Sequence, residues 1–349
     1  MTLKINKINI GRKYPPFIIA EMSGNHNQSL NIALKIVRAA AKVGVHAIKL
    51  QTYTPDTITI DCNKKNFFIK NKKNIWSGQK LYDLYKKAYT PWEWHKPIMK
   101  EAKKNGLICF STPFDMTAID YLEKLNVPAY KIASFENNDL PLIEKAAKTG
   151  KPLIISIGMA NINDLKEIYK TVKKTGNSNL ILLKCTSCYP ASAEDSNLLT
   201  IQDLKKLFNC EIGLSDHTLG IGVSIAAVAL GATVIEKHFT IDRKKGGVDS
   251  KFSLEPQEFK SLVHETKQAW KSIGKIMYGP TKSEKDSLKY KRSLFIVKDM
   301  KKNEVFSKEN IKSIRPSQGL APKYIKNVIG QKISKNTKKG TPLNWNLIK

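Results

Sequence analysis

Residues 211–238, EIGLSDHTLGIGVSIAAVALGATVIEKH, decide the fold of this chain. Two apolar runs, Glu211–His217 and Thr233–His238, flank a helical pattern, so the stretch reads strand, helix, strand. Strands joined in this way lie parallel, and their carboxyl ends meet at one edge of the sheet. Both runs end in ionisable side chains, so this segment predicts a parallel sheet with polar groups gathered at that edge.

The same alternation recurs along the rest of the chain. Six further apolar runs end in polar, ionisable or hydroxyl side chains: Phe17–Glu21, Ala47–Gln51, Leu107–Thr112, Ala129–Ser134, Pro152–Ser156 and Leu180–Ser187. Helical patterns separate them, and eight parallel strands with intervening helices predict a closed (β/α)8 TIM barrel. The active site of such a barrel lies at the carboxyl ends of its strands, so the polar strand ends predict the site residues.

The length of 349 residues exceeds the roughly 250 residues of a typical barrel, so we expect a second, smaller domain. The catalytic barrel is predicted at 1–280, opened by a hairpin around Gly11-Arg12 that closes its bottom and ended by a helix over 256–273. A linker is predicted at 281–292. The second domain is predicted at 293–349, with short strands at 294–297 and 311–314 and a helix near 322–328.

An insertion follows the second predicted strand, from Thr54 to about Trp94, and contains several aromatic residues. Loops of this length in compact domains are usually functional or disordered, and the aromatic content argues against disorder. We therefore expect the insertion to wall the site. The alternative is a loop packed on the barrel without contact to a ligand.

The net charge of +29 raises nucleic acid or a lipid surface as a possible partner. Only five of the 59 basic residues are arginines, and the lysines are scattered over the whole chain. This distribution is typical of a solvated surface and favours neither nucleic acid nor membrane as a partner. A membrane span and a signal peptide are not expected, so we predict a cytoplasmic protein with reduced cysteines. A lysine-rich nucleic-acid-binding protein stays as a distant alternative.

Two neighbouring strand ends, 215–217 and 236–238, predict a metal site. Because strand side chains alternate, Ser215 shares a face with His217, and Glu236 shares a face with His238. Two imidazoles and a carboxylate then converge, which suits a divalent metal with water in its open positions. The pair Cys185 and Cys188 is a weak candidate for redox chemistry or zinc, because no second pair completes a site.

The other strand ends predict an anion site. Lysine is rare in buried barrel strands, yet Lys49 and Lys131 fall within them. The hydroxyls of Thr112, Ser134, Ser156 and Ser187 surround the same mouth, which suits a small phosphorylated carboxylate. Each lysine taken singly could instead extend to solvent. Glu21 could bind a hydroxyl or move a proton, and the pattern leaves open whether His26 touches substrate.

These residues stand in motifs that resemble the sialic acid synthase family of phosphoenolpyruvate-condensing enzymes over essentially the whole chain. The motifs are AEMSGNHN at 20–27, KLQ at 49–51, STPF at 111–114, YKIAS at 130–134, GLSDHT at 213–218 and EKHFT at 236–240. The tail, with IRP at 314–316, resembles the antifreeze-like (SAF, β-clip) domain that closes these synthases.

The resemblance implies a metal-dependent transferase that joins phosphoenolpyruvate to an amino-sugar aldehyde in a domain-swapped homodimer. It implies His217 and His238 as ligands of Mn²⁺, Mg²⁺ or Co²⁺, and Arg315 as a residue that reaches the partner subunit's site. The candidate catalytic residues are Glu21, Glu236 and Lys131. The candidate substrate-binding residues are Lys49, Gln51, Thr112, Ser134, Ser156, Ser187, Tyr189, Ser215, Asp249 and Arg315.

Within the family, the acceptor sugar is indicated by Met22-Ser23-Gly24 and by Ser187. N-acetylneuraminate synthases usually have Ile-Gly-Ile and Asn at these places. The departures favour a 2,4-diacetamido-2,4,6-trideoxyhexose of the altro configuration over N-acetylmannosamine. Synthesis of N-acetylneuraminate or of legionaminic acid stays as the alternative.

Overall fold

The computed structural model describes residues 3–72 and 74–349, so Met1 and Thr2 of the predicted barrel domain and Lys73 of the insertion lie outside the described residues. The chain divides into two compact units, Met1–Gly274 and Lys275–Lys349. The predicted boundaries at 280 and 293 stay a prediction. A 3-10 helix, Lys282–Tyr290, occupies most of the predicted linker.

The first unit contains a closed parallel barrel, which confirms the predicted fold class. A two-stranded hairpin, β1 (Lys4–Ile5) and β2 (Ile8–Asn9), precedes the barrel. The barrel strands are β3 (Phe17–Glu21), β4 (Ala47–Thr52), β5 (Ile108–Pro113), β6 (Tyr130–Ile132), β7 (Leu153–Ser156), β8 (Leu180–Cys185), β9 (Glu211–Asp216) and β10 (Val234–His238). Each strand pairs with the next along the chain, and β10 pairs with β3 to close the ring.

Helices connect the strands on the outside of the barrel. Their bounds are α1 (Leu30–Lys42), α2 (Pro55–Ile58), α3 (Leu81–Ala88), α4 (His95–Lys104), α5 (Met116–Lys124), α6 (Leu140–Lys148), α7 (Ile162–Lys174), α8 (Thr200–Leu207), α9 (Gly222–Ala229) and α10 (Pro256–Ile273). Several begin at a side chain that accepts a backbone N–H, such as Asp115 before α5 and Asn161 before α7. In the described part of the chain, no helix is both long enough and apolar enough to cross a membrane.

Three local predictions need correction. The hairpin turns between Ile5 and Ile8 rather than around Gly11-Arg12, which forms a separate turn with Tyr14. Ser134 begins a 3-10 helix instead of ending β6. Thr186 and Ser187 lie beyond the end of β8. The last two differences place hydroxyls in loops at the barrel mouth, where their positions do not follow the alternation of a strand.

The barrel interior is apolar in its lower half, away from the carboxyl ends of the strands. A buried cluster combines strand residues with three residues from the N-terminal segment: Leu3, Ile5, Ile10, Phe17, Ile19, Ala47, Ile108, Phe110, Ala129, Ile154, Ile181, Leu183 and Val234. Alternate strand residues, such as Ile18, Ala20 and Ile48, face the helices in a second cluster. The barrel interior is therefore filled by apolar side chains towards the amino-terminal ends of the strands and is polar at their carboxyl ends.

Gly213, in the middle of β9, lies where the strand packs tightly against both of its neighbours. A Cβ atom added there would lie 2.6 Å from Leu183 Cδ2 on β8, and would also collide with the carbonyl oxygen of Val234 on β10. Real Cβ atoms do not approach other heavy atoms so closely. Only glycine therefore lets β8, β9 and β10 pack at this spacing.

The second unit has its own small core, which includes Leu294, Ile296, Phe306, Ile311 and Val328. Two antiparallel strands, β11 (Ser293–Ile296) and β12 (Ile311–Ile314), pair along their length. A 3-10 turn (Pro322–Tyr324) leads into α11 (Ile325–Val328). These elements match the predicted strands and helix within one residue at each end.

Candidate active site

A cavity of about 870 Å³ opens at the carboxyl ends of the barrel strands. It is lined by thirteen of the predicted site residues: Glu21, Lys49, Gln51, Lys131, Ser134, Ser156, Ser187, Tyr189, Ser215, His217, Glu236, His238 and Asp249. Thr112 does not line the cavity, but its hydroxyl accepts a hydrogen bond from Lys49 Nζ at 3.0 Å. Arg315 is exposed in the second unit, directly after β12.

The floor of the cavity is a cluster of buried charges. Lys49 Nζ lies 2.7 Å from Glu21 Oε2 and 3.8 Å from Glu236 Oε1, and Lys131 Nζ lies 3.6 Å from the same Glu236 oxygen. Ser215 Oγ also donates to Glu236 at 3.2 Å. Two lysine and two glutamate side chains, all nearly fully buried, thus meet at the floor of the cavity.

Burial and mutual attraction set the protonation of this cluster. Burial raises the pKa of Glu21 to about 7, although Lys49 opposes the rise. Burial also favours neutral Glu236, but Lys131 and Lys49 outweigh it and lower the pKa of that carboxyl. Burial lowers the pKa of Lys131, whereas the carboxylates around Lys49 outweigh burial and raise its pKa. Glu236 is therefore the ionised carboxylate, and Glu21 can exchange a proton near neutral pH.

Beside Lys131, three hydroxyls form a small polar corner. Ser134 Oγ accepts a hydrogen bond from the backbone N–H of Gly158 at 3.1 Å. A Cβ atom at Gly158 would lie 2.8 Å from Ser134 Oγ and would collide with the hydroxyl of Ser187. Within the described residues, the buried hydroxyl of Ser156 has no hydrogen-bond partner. Such a corner of hydroxyl groups beside an ammonium suits the oxygens of a phosphate or carboxylate.

The two histidines converge as predicted. The rings of His217 and His238 have centroids 5.4 Å apart. Atom Nδ1 of His217 lies 2.9 Å from the carbonyl oxygen of Thr186 and so carries a proton. Burial lowers the pKa of His217, but Cys185 and this carbonyl outweigh burial and raise it, so Nε2 has a free lone pair only in the neutral form of the ring. Burial places the pKa of His238 well below its usual value. A neutral imidazole is the form that binds a metal.

The donor set at the histidines fits a divalent metal with open coordination positions. In the described residues, Nδ1 of His238 and Oε2 of Glu236 are buried without hydrogen-bond partners. Asp249 Oδ2 lies 3.7 Å from His238 Nδ1, and burial raises the pKa of Asp249 to about 6. Among the described residues, no group of three or more His, Cys, Asp or Glu side chains is placed to hold a metal ion, so the two histidines would be the main protein ligands. Water or substrate oxygens would have to complete the coordination.

The insertion walls the cavity on one side, as predicted. Its lining residues are apolar, aromatic or amide-bearing: Ile58, Ile69, Asn71, Asn74, Trp76, Leu81, Leu84, Tyr85 and Ala88. Trp76 Nε1 donates to the carbonyl oxygen of Val248 at 2.9 Å, and its ring packs 5.6 Å from that of Tyr189. Tyr189 in turn packs 4.4 Å from the ring of His217. An aromatic path thus connects the insertion to the histidines.

Several lining residues were missed by reasoning from polar strand ends. Tyr53 and Phe114 directly follow β4 and β5, but an aromatic residue in such a place resembles a core residue. Glu136 also lines the cavity, and burial raises its pKa to about 7. Its position two residues after Ser134 was a usable signal. His26 does not line the cavity, because it is buried and contacts Thr90 instead.

The thiol of Cys185 also lies at the site, 3.8 Å from His217 Nδ1. Burial alone would raise its pKa, but His217 outweighs burial and lowers it to about 7. Cys188 lines the same cavity and is exposed. Neither of these two cysteines forms a disulfide in the part of the chain that the structure describes.

Fold and site together define a (β/α)8 enzyme whose cavity has a floor of buried charges, two converging imidazoles and a largely apolar wall. Residues 36–278 match the NeuB family, and residues 291–349 match the SAF domain. The chain belongs to the NeuB family. This confirms the resemblance to the sialic acid synthases that the sequence motifs indicated.

Known proteins align with nearly the whole chain. It is 46% identical over 344 residues to a pseudaminic acid synthase of Campylobacter jejuni, covering 98% of each chain. It is 38% identical to an N,N'-diacetyllegionaminic acid synthase of the same species, covering 92% of this chain and 96% of the relative. The structure superimposes on an N-acetylneuraminic acid synthetase from Leptospira borgpetersenii in complex with citrate, with a TM-score of 0.72 and 35% identity, over 82% of this chain and 95% of the other.

Proposed function

We propose that this protein is a pseudaminic acid synthase, which condenses phosphoenolpyruvate with 2,4-diacetamido-2,4,6-trideoxy-β-L-altrose. The products are a nine-carbon nonulosonic acid and phosphate. The observation that carries the proposal is the single cavity in which a buried lysine pair and a hydroxyl corner lie below two histidines and an apolar wall. The 46% identity to a pseudaminic acid synthase, against 38% to a legionaminic acid synthase, favours this acceptor.

The proposed reaction forms one carbon–carbon bond, and at carbon 2 it replaces the carbon–oxygen bond to phosphate by one to an oxygen from water. Carbon 3 of phosphoenolpyruvate attacks the aldehyde carbon of the open-chain sugar, and cationic character develops at carbon 2. Water adds at carbon 2, and phosphate leaves with its bridging oxygen. The balance is phosphoenolpyruvate plus sugar plus water, giving nonulosonate plus phosphate.

The charged floor would hold phosphoenolpyruvate. Lys49 and Lys131 supply positive charge, and Ser134, Ser156 and Ser187 supply hydroxyl donors. Cationic character at carbon 2 then develops beside the ionised Glu236, which favours it electrostatically. Glu21 is suited to accept a proton from the attacking water or from a sugar hydroxyl, because its pKa of about 7 lies near the working pH.

The proposed metal ligands are His217 and His238. A divalent ion held there, Mn²⁺, Mg²⁺ or Co²⁺, supplies Lewis-acid polarisation of the sugar aldehyde. Asp249 lies against His238 and accepts a hydrogen bond from Ser23 Oγ, so it would orient that imidazole. Gln51 donates to both Glu21 and Ser23 at 3.0 Å, which ties the metal end of the cavity to the charged floor.

The substrate assignment is tested by a panel of sugars. Purified enzyme with Mn²⁺ and phosphoenolpyruvate is offered the diacetamido-trideoxyaltrose, its legionaminic counterpart and N-acetylmannosamine, and phosphate release is measured. We expect the highest kcat/KM for the altrose, because its methyl and second acetamido groups bury apolar surface against the insertion. An equal or higher value for N-acetylmannosamine contradicts the assignment. Salt-sensitive DNA binding without phosphate release supports the nucleic-acid alternative instead.

The metal assignment is tested with chelator. Activity should vanish on chelation and return with added Mn²⁺, while a His217→Ala, His238→Ala variant should stay inactive under both conditions. Circular dichroism is expected to show a folded variant, because residues at the barrel mouth contribute mostly to function. Full turnover by this variant in chelator contradicts the proposed metal site.

We also propose that the active form is a domain-swapped homodimer in which Arg315 serves the partner's cavity. Four large apolar residues are exposed in the loops that follow β6, β7, β8 and β9: Phe135 at 59%, Met159 at 65%, Leu199 at 72% and Leu219 at 65%. Apolar residues clustered around a barrel mouth indicate a protein contact there. A cytoplasmic location is part of the proposal and is supported by the free cysteines.

A further inference from the structure

Behind the proposed metal ligands, on the outer face of the barrel, lies a buried ion pair. Lys237 Nζ and Asp216 Oδ2 are 2.9 Å apart, and both side chains are fully buried. The two residues are register partners on β10 and β9. The preceding register pair, Glu236 and Ser215, faces the cavity and is hydrogen-bonded across the same two strands. The strands are thus joined by polar side chains on both faces at successive positions.

The ion pair is hydrogen-bonded to Thr218, the residue that follows His217. Asp216 Oδ1 accepts hydrogen bonds from the backbone N–H of Thr218 at 2.9 Å and from its hydroxyl at 2.7 Å. Lys237 Nζ donates to the carbonyl oxygen of Thr218 at 2.6 Å. Ser224, on α9, completes the network by donating to Asp216 Oδ2 at 2.6 Å. Both peptide groups of Thr218 are therefore fixed, one from each member of the pair.

The position of this pair in the chain links it to both imidazoles. Asp216 immediately precedes His217, and Lys237 immediately precedes His238. Because strand side chains alternate, the histidines face the cavity while their neighbours face the helices. A change in the ion pair would shift the two histidine backbones relative to one another.

Stability alone does not account for these charges. Taking two ions out of water costs about as much as their attraction returns, so an apolar pair of similar size is often equally stable. Beyond Thr218 and Ser224, the residues around the pair are largely apolar, with Ala227 and Val228 of α9 in the same cluster as Ile212, Leu214 and Ile235. The chain keeps a charged pair at a place where packing would favour apolar residues.

We propose that Asp216 and Lys237 are positioning residues, which set the separation and orientation of His217 and His238 for the divalent metal. The inference rests on the metal site under the proposed function. Substitution of groups that orient metal ligands typically costs 10- to 100-fold in metal affinity or activity. A loss of about tenfold in Mn²⁺ affinity is expected here, since the pair acts through the backbone.

The test measures Mn²⁺ binding without substrates, by electron paramagnetic resonance of the free ion, on the full-length protein. The variant Asp216→Asn, Lys237→Met removes both charges together, so neither is left buried and unpaired. Its melting temperature should stay within a few degrees of wild type, while its Kd for Mn²⁺ rises about tenfold and kcat falls. The matched control is Lys205→Met. It breaks an ion pair, 3.2 Å long, between Lys205 and Glu211 at the start of β9, and it should leave Mn²⁺ binding unchanged.

A folded double variant with native Mn²⁺ affinity overturns the inference, because the pair would then be only structural. If the double variant does not fold, Thr218→Val decides instead. It removes one hydroxyl contact to Asp216 without changing any charge, and a Kd raised by about threefold supports the inference whereas an unchanged Kd overturns it. Absence of Mn²⁺ binding by the wild-type protein overturns the proposed metal site itself, and this inference with it.

Discussion

At the scale of single residues, the two interior lysines differ in how their charge is compensated. Lys49 contacts Glu21 at 2.7 Å and donates to Thr112, whereas Lys131 approaches Glu236 only at 3.6 Å. Burial accordingly lowers the pKa of Lys131, while carboxylates outweigh burial and raise that of Lys49. A bound anion would therefore stabilise the charged form of Lys131 more than that of Lys49.

The variant Lys131→Met should weaken the use of phosphoenolpyruvate. A hydrogen bond to a charged group contributes about 1.5–3 kcal/mol, so kcat/KM for phosphoenolpyruvate should fall roughly 10- to 100-fold. Steady-state kinetics at saturating sugar measures the change. The control Lys184→Met alters a lysine of β8 that does not line the cavity and should have near-native kinetics. An unchanged KM for phosphoenolpyruvate in Lys131→Met would show that this lysine does not bind it.

Residue types at strand ends predicted much of the site, because a parallel barrel brings all its carboxyl ends to one mouth. The rule works for Lys49, His217 and Glu236, whose polar side chains have no reason to be in an apolar strand. It fails for Tyr53 and Phe114, since an aromatic residue beside a strand is equally at home in the core. It also gives no sign of the outward pair Asp216 and Lys237, because the sequence pattern leads one to expect apolar residues on that face.

At the scale of elements, the insertion shapes one wall of the cavity. The chain doubles back between Phe68 and Lys80, and Trp76 at its tip is joined to the loop after β10 through the carbonyl oxygen of Val248. The fold of this insertion could not be derived from periodicity, because its contacts link residues 172 positions apart. Its aromatic content nevertheless predicted its place.

Trp76→Ala should raise KM for the sugar acceptor while leaving KM for phosphoenolpyruvate unchanged. Removal of a large aromatic surface costs about 1–3 kcal/mol of binding, which corresponds to a roughly 5- to 100-fold change. Initial rates with each substrate varied in turn measure the split. Trp76→Phe should recover part of the loss. The control Tyr82→Phe changes an aromatic residue of the insertion that lies outside the cavity wall. Equal effects on both substrates would contradict the assigned role.

Two buried histidines connect the loops and helices outside the cavity. His95, at the start of α4, has Nε2 2.7 Å from the hydroxyl of Thr52 on β4, and His26 has Nε2 3.2 Å from the hydroxyl of Thr90. Burial lowers the pKa of each imidazole to about 4. Both therefore stay neutral in the folded protein at pH values where an exposed histidine is charged.

Acid should consequently remove stability at these two histidines, whereas buried carboxyls with a raised pKa, such as Glu21, act in the opposite direction. Between pH 6.5 and 4 the unfolded imidazoles take up protons and the folded ones do not, so the contribution of each histidine to the free energy of unfolding decreases as pH falls. Each histidine accounts for roughly 3 kcal/mol over this range. Urea unfolding at pH 7.5 and pH 5 measures about 2 kcal/mol of this contribution for each histidine, and His95→Gln should remove its share. The exposed His264→Gln is the control; an identical pH dependence in His95→Gln would contradict the account.

At the scale of the whole molecule, shared active sites can be tested by complementation. A His217→Ala, His238→Ala chain is mixed with an Arg315→Ala chain, each of which should be poorly active alone. If Arg315 acts in the partner's cavity, a mixed dimer contains one intact barrel served by an intact tail, and in an equal mixture activity should rise towards about a quarter of wild type. This expectation assumes random exchange of subunits and intact cooperation within each mixed dimer.

Subunit exchange is verified with differently tagged chains that co-purify after mixing. Co-purification without any recovery of activity would show that Arg315 serves its own barrel or none. The control is Arg292→Ala, which changes another arginine of the second unit. A mixture of this chain with the His217→Ala, His238→Ala chain should be as active as the same mixture made with wild-type chain.

The tight contact at Gly213 should constrain the residue type at this position strongly, although glycine carries no reactive group. It touches no substrate, yet any side chain there would force β9 away from β8 and β10 and displace the strand ends that carry His217 and His238. In a library of all single substitutions selected for product, Gly213 should tolerate replacement as poorly as the histidines do. The two groups of variants would lose activity for different reasons. Histidine variants would accumulate as folded, inactive protein, whereas Gly213 variants would misfold and be degraded.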